Sequence, residues 1–259
     1  MTEGRRDKAM DAQTRRESIY RALKEQRKIR VSEIIRMFGV SAVTINNDLN
    51  ILESEGMIRK SFGYAEICDE LSFIISPPVA NFAEKKKIAR AAAELIQNNS
   101  SIAVYSGTTC QVFAREIPQA LALTAVTPSL PVAVELGRNP RIKPILLGGD
   151  YDSDNFATCG PIAVDQLEKY NLDTLFMSVN GLSAENGCTI DHHFEATINE
   201  ALIRNAKMVV AMADHTKIGV ARFIKISEIS EIDIVVTDDK APEGEIEKLR
   251  AQGVEILIA

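Results

Sequence analysis

From residue 84 to residue 259, short apolar runs alternate with stretches of helical periodicity, and this alternation constrains the fold more than any other feature. Alternating strands and helices are typical of an α/β domain with a mostly parallel sheet. The sequence therefore predicts one such domain over residues 84–259. The expected strands are Ser101–Tyr105, Leu121–Val126, Pro144–Leu147, Thr174–Val179, Met208–Ala213, Ile232–Thr237 and Val254–Ile258, and the expected helices include 84–98, 130–138, 161–170, 195–206 and 243–252.

The composition is that of an ordinary globular protein, with 46% hydrophobic and 25% charged residues among 259. This apolar content excludes a disordered chain, and four Cys are too few for a disulfide-stapled miniprotein. No apolar run approaches the roughly 18 residues that span a bilayer. The polar N-terminal segment has no apolar signal core, so we expect a cytoplasmic protein without a membrane partner.

Charge is divided unevenly along the chain. Residues 1–66 hold 13 Lys/Arg and 10 Asp/Glu, whereas the remainder holds 17 and 26, so the net charges are +3 and −9. A basic N-terminal part on an acidic body is consistent with a small anion-binding module joined to a separate domain.

The N-terminal part has the pattern of a helix-turn-helix. Helices are predicted at 13–26, 33–38 and 42–55, with Ser32 and Ser41 as expected N-caps and Gly39 ending the second helix. Two short strands around Phe62-Gly63 would add a wing. We therefore expect a small N-terminal winged helix-turn-helix domain over residues 13–67, preceding the α/β domain.

The third helix carries residue types that can recognise DNA. The candidates for base contacts are Ser41, Val43, Thr44, Asn46, Asn47 and Asn50. An Asn side chain can pair with adenine through two hydrogen bonds. The candidates for phosphate contacts, which position the protein without reading sequence, are Arg15, Arg16, Lys28, Arg30, Arg59 and Lys60. The alternative is a three-helix interaction module whose charges are only solvated.

The segment VSEIIRMFGVSAVTINNDLNILESEGMIRKSFGYAEI resembles the N-terminal domain of the DeoR family of bacterial sugar-metabolism repressors. That family usually shows a segment like TIRRDLxxLExxGxIxRxxGGA. Here Asn46 and Asn47 replace the usual Arg pair, which removes two positive charges from the face expected to meet DNA. Tyr64 replaces the second wing Gly. The resemblance implies double-stranded operator DNA as the partner.

Residues 68–83 contain Pro77-Pro78 and no clear period, so we interpret them as an interdomain linker. Beyond it, polar or Gly-rich segments follow five expected strands. Because ligands bind at the carboxyl ends of parallel strands, these segments predict a site for a phosphorylated polyol, although each alone also fits an ordinary turn or a capped helix. The segments are Ser106, Gly107, Thr108 and Thr109; Thr127 and Ser129; Gly148 and Gly149; Asn180 and Gly181; and Asp214 with Lys217.

The second half resembles the DeoR-type sensor domain, whose fold is of the sugar-phosphate isomerase type. The resemblance implies a phosphorylated sugar effector, with the phosphate on Ser106–Thr109, the sugar near Gly148, Gly149 and Glu195, and Asp214 and Lys217 bounding the pocket. Three positions depart from the family pattern. Tyr105 replaces an Asp, Pro128 replaces an Asn, and Asn199 replaces a Lys.

Catalysis and metal binding are the alternatives to a sensor for a phosphorylated sugar. Asp214, Glu195 and Lys217 are residue types that an aldose–ketose isomerase could use. His192 and His193 are adjacent, so on a strand they would point to opposite faces, and the four Cys lack CxxC spacing. We expect His192 and His193 either to line the mouth of the pocket or to lie on solvated surface. We expect no catalytic residue, no metal and no cofactor.

The sequence as a whole predicts a repressor of a carbohydrate-utilisation operon that a phosphorylated sugar releases from DNA. A homo-oligomer, dimer or tetramer, is expected because one small domain binds DNA too weakly alone. An activator with the same parts, and a sugar-phosphate isomerase with an accessory domain, are the alternatives.

Overall fold

The computed structural model describes residues 11–54, 57–67 and 79–259, and the chain divides into two compact units, Met1–Pro78 and Val79–Ala259. Most of the expected linker, residues 68–78, lies outside the described residues. Among the helices that are described, none has the length and apolar character required to cross a membrane.

The described residues of the first unit form three helices and a three-stranded antiparallel sheet in the order β1-β3-β2. This is the winged helix-turn-helix architecture that the sequence predicts. Its buried side chains come from every helix and from the sheet, so the unit has a core of its own. The elements are α1 (Ala12–Gln26), β1 (Lys28–Arg30), α2 (Val31–Phe38), α3 (Ala42–Ser54), β2 (Ile58–Ser61) and β3 (Tyr64–Ile67).

Local interactions fix the turn between α2 and α3. Gly39 ends α2 with a φ of 61°, a left-handed conformation that glycine adopts without strain. The Ser41 hydroxyl accepts a hydrogen bond from the Thr44 amide at 3.1 Å and so caps α3. The prediction that Ser32 caps α2 is wrong. The helix begins at Val31, because the Val31 amide donates to the Gly63 carbonyl of the wing at 2.9 Å.

The second unit is built on a seven-stranded sheet in the order β15-β14-β12-β9-β4-β5-β6, with every neighbouring pair parallel. All seven expected strands are in this sheet, which confirms the predicted fold class. They are β4 (Ser101–Val104), β5 (Leu123–Thr127), β6 (Ile142–Leu146), β9 (Leu172–Ser178), β12 (Ala206–Met212), β14 (Ile234–Thr237) and β15 (Glu255–Ile258).

Helices cover the sheet and bury its apolar side chains. One close packing contact is between Phe113 and Phe176, whose rings stack with centroids 4.4 Å apart and join a helix to β9. The helices are α4 (Phe82–Ala93), α5 (Thr108–Glu116), α6 (Leu130–Leu136), α7 (Pro161–Leu167), α8 (Ala196–Asn205) and α9 (Glu243–Ala251).

The structure differs from the sequence prediction around α4. This helix begins at Phe82, inside the expected linker, and ends at Ala93 instead of residue 98. Residues 98 and 99 bond to Ala122, directly before β5, instead of extending the helix. The Asn98 side chain accepts from the Ala122 amide at 2.8 Å, and the Asn99 amide donates to the Ala122 carbonyl at 2.7 Å.

Five short antiparallel strands were not predicted. Two form a hairpin after β6, namely β7 (Asp150–Asp152) and β8 (Ala157–Cys159). Three form a small sheet in the order β10-β11-β13, namely β10 (Gly181–Ser183), β11 (Gly187–Ile190) and β13 (Ile224–Ser227). Each has three or four residues, so the segments read as turns in the sequence.

The order of the strands reverses at β4. The chain continues from β4 to β5 and β6 on one side, whereas β9, β12, β14 and β15 lie on the other. Such a reversal opens a crevice outside the carboxyl ends of the two central strands, where ligands bind in open α/β sheets. By this rule a ligand is expected between the segments that follow β4 and β9.

Candidate functional site

The outward face of α3 is uncharged. Val43, Asn46, Asn47 and Asn50 are exposed on this face, with Ile51 at its side. The opposite face is buried in the core of the unit, where the Asp48 carboxylate accepts from Arg15 Nε at 2.5 Å. The helix therefore presents amide and aliphatic groups on this face, and of its two acidic residues Asp48 is paired inside the unit while Glu53 is partly exposed and pairs with Lys60.

The basic side chains beside α3 are partly neutralised. Lys28 and Arg59 both pair with Glu66, and the Lys28 ammonium holds the pKa of that carboxyl below its usual value. Lys60 bonds to the Asn50 side chain and pairs with Glu53 at 3.6 Å. The Arg30 guanidinium lies 5.0 Å from the centre of the Tyr64 ring. The candidates Arg30, Arg59 and Lys60 thus remain on the surface of the wing with partners of their own.

At the other candidate site, Ser106–Thr109 leave β4 and begin α5. Gly107 has a φ of 98° and occupies the N-cap position, and the Ser178 hydroxyl of β9 donates to the Ser106 carbonyl at 2.7 Å. A Cβ atom on Gly107 would lie 2.5 Å from that hydroxyl oxygen. Glycine is therefore required here both for the backbone conformation and for the close approach of the two central strands.

A buried lysine from α4 reaches this loop. Lys85 Nζ donates to Thr108 Oγ1 at 3.0 Å and lies 3.8 Å from Oδ2 of Asp214. The other carboxylate oxygen of Asp214 accepts from the Asn81 side-chain amide at 3.3 Å. Burial lowers the pKa of Lys85, the Asp214 charge opposes that shift, and the nearby Lys217 adds to it. The ammonium group, the Thr108 hydroxyl and the N-terminus of α5 together favour an anion.

The segments that follow the strands do not include Lys85 or Asn81, so the sequence analysis did not predict these two residues at the site. Lys85 stands in a run of three lysines that resembles a solvated helix face. A helical signal did exist, because Lys85 precedes the buried Ile88 by three residues and the buried Ala92 by seven.

A second group of polar side chains is buried next to the loop. Tyr105, Glu195 and Asn199 are all at least nine-tenths buried. Within the described chain, the Tyr105 hydroxyl and the Asn199 side-chain oxygen have no hydrogen-bond partner of normal geometry. Burial raises the pKa of Glu195, and burial together with the Glu195 charge raises that of Tyr105 well above its ordinary value. Two of the three positions that depart from the family pattern therefore lie side by side.

The other predicted residues have local structural roles. Thr127 and Ser129 are buried, and Ser129 caps α6, with its Oγ accepting from the Val132 amide at 3.5 Å. The Gly148 amide donates to the Gln166 side chain at 3.0 Å, and Gly149 lies against the Cys159 carbonyl.

The two remaining strand ends are also tied to their neighbours. The Asn180 carbonyl accepts from Arg222 Nε at 3.3 Å, and Gly181 lies against the Val220 carbonyl. These residues follow strands of the same sheet as Ser106.

The segment after β12 is held to its neighbours. Asp214 is buried and accepts from the Thr216 amide at 3.0 Å, while Lys217 is partly exposed. His215 Nδ1 lies 3.0 Å from a carboxylate oxygen of the buried Asp238, which follows β14. Asp214 therefore contacts Lys85 instead of forming a surface ion pair with Lys217.

The adjacent histidines are not on a strand. His192 and His193 enter a short 3-10 turn at His193–Glu195, and both are exposed. The reasoning from strand alternation therefore does not apply to them. Among the residues that the structure describes, no group of three or more His, Cys, Asp or Glu side chains has the geometry to hold a metal ion.

A winged helix-turn-helix unit followed in the chain by a parallel α/β unit is the architecture of a DNA-binding transcriptional regulator. A family model described as the DeoR-like helix-turn-helix domain matches residues 15–71, and one described as the DeoR C terminal sensor domain matches residues 80–239. The chain belongs to the DeoR family of transcriptional regulators.

Curated relatives extend over almost the whole chain. It is similar to the HTH-type transcriptional regulator GolR of Listeria innocua, at 33% identity over 95% of this chain and 98% of that protein. A putative aga operon transcriptional repressor of Escherichia coli O157:H7 is 31% identical over 94% of this chain and 93% of its own length. The glycerol-3-phosphate regulon repressor of Escherichia coli K12 is 28% identical, over 88% and 91%.

Solved structures show a partial similarity. Ribose 5-phosphate isomerase A from Methanocaldococcus jannaschii matches with a TM-score of 0.41 and 17% identity, over 53% of this chain and 55% of that one.

The contact between the two central strands generates a stability prediction. Gly107→Ala introduces both an unfavourable φ and a clash with Ser178, so we expect the free energy of unfolding to fall by about 1–3 kcal/mol or more. Gly253→Ala is the matched control, because Gly253 has a φ of 93° and open space around its Cβ position. Urea unfolding of the full chain would compare the two. Equal losses would show that Ser178 imposes no constraint on Gly107.

Proposed function

We propose that this protein represses a carbohydrate-utilisation operon and that a phosphorylated sugar bound at the sheet edge releases it from the operator. The names of two relatives, an aga operon repressor and a glycerol-3-phosphate regulon repressor, support this class of target. In this proposal residues 13–67 bind DNA, residues 68–83 link the domains and residues 84–259 sense the effector.

The contact between Lys85 and Thr108 carries the effector proposal. A buried ammonium group is costly unless a counter-charge is near. Among the described residues, the Lys85 ammonium pairs with one carboxylate, that of Asp214, whose Oδ2 lies 3.8 Å from Nζ. The first amides of α5 add a partial positive charge at the same place. A phosphate seated on Ser106–Thr109 would receive hydrogen bonds from these groups and would compensate the Lys85 charge.

The sugar part of the effector would extend toward the second polar group. Tyr105, Asn199 and Glu195 offer hydroxyl, amide and carboxyl groups, which are the usual partners of sugar hydroxyls. Lys217, partly exposed near Lys85, is a further contact for an anionic group. In this arrangement Thr127, Ser129, Gly148, Gly149, Asn180 and Gly181 shape the walls and support the loops.

A path from the effector to the DNA-binding unit begins at Asn81. This residue lies three positions after the boundary between the units, has a φ of 53° and bonds to Asp214. An anion that draws Lys85 away from Asp214 would also change the partners of Asn81. The effector can move the protein away from its DNA-bound conformation only by binding the other conformation more tightly.

The regulatory reading is favoured over catalysis. Asp214, the best-placed carboxylate for a general base, already accepts bonds from Thr216 and Asn81 and pairs with Lys85. We therefore assign no catalytic residue. An activator would share every contact described above and would differ only in the direction of the change in transcription.

A thermal-shift measurement tests the effector proposal. Ligands that bind only the folded protein raise its melting temperature by mass action. We expect a rise with one sugar phosphate from a panel and none with the matching free sugar, and we expect the sugar phosphate to be recovered unchanged after incubation. Lys85→Met and Thr108→Val should remove most of the rise, whereas Lys87→Met, at an exposed position of the same helix, should retain it.

Three outcomes would contradict the proposal. A response to free sugars alone would exclude phosphate recognition. A response unchanged in Lys85→Met would exclude the site at α5. Conversion of the sugar phosphate into an isomer would favour the enzyme alternative.

The buried position of Lys85 also predicts a pH dependence. Its pKa is lowered by burial, so the ammonium loses its proton at a lower pH than an exposed lysine. Phosphate affinity should therefore decline as pH rises from 7 to 10, because only the protonated form attracts the anion. Lys85→Arg keeps its charge over this range and should show a flatter profile in calorimetric titrations. Identical profiles would show that Lys85 does not contact the phosphate.

A further inference from the structure

We infer that α3 reads an operator half-site rich in A·T pairs, through amide and aliphatic side chains, and that it contributes no positive charge to the contact. The inference rests on the proposed role of α3 in DNA binding and adds to it the kind of sequence that the helix can recognise. The observations that carry it are the identity, the exposure and the hydrogen bonds of the side chains on one helix face.

The side chains described on the exposed face of α3 are all uncharged. At roughly 100° per residue, Val43, Asn46, Asn47, Asn50 and Ile51 fall within an arc of about 140°. The described side chains outside this arc include Ile45, Leu49 and Leu52, which are buried. Among the described side chains, this face of the helix therefore offers three amides and two aliphatic groups to a groove.

These groups match the edge of an A·T pair in the major groove. Adenine presents an acceptor at N7 beside a donor at N6, which one Asn amide satisfies with two hydrogen bonds, and thymine presents a methyl group to aliphatic side chains. Guanine presents two acceptors, which Arg or Lys satisfies best. Residues 42–54 contain neither Arg nor Lys.

Asn47 is the best-placed reader of adenine. In the part of the chain that the structure describes, its side-chain amide has no hydrogen-bond partner, so both of its functional atoms can bond to a base. The side chains of Asn46 and Asn50 each use one of their polar atoms in a hydrogen bond within the protein. Asn46 Nδ2 donates to the Ala42 carbonyl at 2.9 Å, and Asn50 Oδ1 accepts from Lys60. Asn47→Ala should therefore cost more affinity than Asn46→Ala.

The basic side chains near the helix are partly neutralised by three carboxylates. Arg15 and Arg16 pair with Asp48, Lys28 and Arg59 pair with Glu66, and Lys60 pairs with Glu53. Each cation that neutralises a phosphate steepens the fall of affinity with salt by about 0.9 in a plot of log K against log salt concentration. With no cation on α3, the salt dependence should be shallow for a helix in the major groove.

Selection from a random duplex library with the full chain tests the inference first. We expect enriched half-sites composed mainly of A·T pairs, with at least one adenine required. Enrichment of half-sites that require guanine would overturn the inference and leave DNA binding intact. No enriched sequence at all would contradict both the inference and the proposed DNA-binding function.

Base analogues then test the individual contacts on the selected sequence. Replacing the required adenine by 7-deazaadenine removes the N7 acceptor and should weaken wild-type binding about tenfold. The same replacement should have little further effect on Asn47→Ala, because the partner of N7 is already gone. Additive losses would show that Asn47 does not contact that base.

Adding charge to the helix gives the converse test. Asn46→Arg with Asn47→Arg should steepen the salt dependence by about 1.8 for each DNA-binding domain engaged and should shift selection toward guanine. Gln119→Arg, at an exposed position in the other unit, is the matched control and should change neither property. An unchanged slope and unchanged base preference in the double variant would show that this face does not meet DNA.

Discussion

The seven strands of the large sheet all run parallel, and the remaining features of the sensor unit depend on this constraint. Parallel strands place their carboxyl ends on one edge, so loops far apart in sequence become neighbours there. The reversal of strand order between β4 and β9 opens the edge at Ser106–Thr109. The Ser178 hydroxyl and Gly107 hold the two central strands close at this point.

Electrostatics then determine what this crevice can accept. Lys85 is buried with one carboxylate and one hydroxyl, beside the N-terminus of a helix. A lysine in such a place is poised for a second anion, because further negative charge offsets its loss of hydration. The neutral pair of Tyr105 and Asn199 lies alongside, where the family pattern has an Asp and a Lys. A sugar at that end would therefore meet groups of different charge from those typical of the family.

The predictable parts of the fold are those governed by local physics. Gly39 and Ser41 marked the turn before α3 because a left-handed residue and a side-chain cap leave a clear sequence pattern. The seven parallel strands were visible because they are buried and therefore almost continuously apolar. The strands β10 and β11 were not, since they have only three and four residues, and β13 was not, since Lys225 pairs with Thr189, a partner 36 residues away. Lys85 was missed because a lysine run hides which of its members faces inward.

In the proposed mechanism, effector binding and operator binding share one conformational equilibrium. In this mechanism the effector acts on Asn81 through Asp214, close to where the sensor unit begins, and α3 offers DNA a face of uncharged side chains. An effector that favours the DNA-free conformation must, by linkage, bind less tightly when operator is present.

The most direct test of this central claim is calorimetric titration of the effector into the protein alone and into the protein saturated with operator DNA. The account predicts a higher dissociation constant for the effector in the presence of operator. The factor should equal the one by which the effector weakens operator binding. Equal dissociation constants with and without operator would contradict the claim that the two sites are coupled.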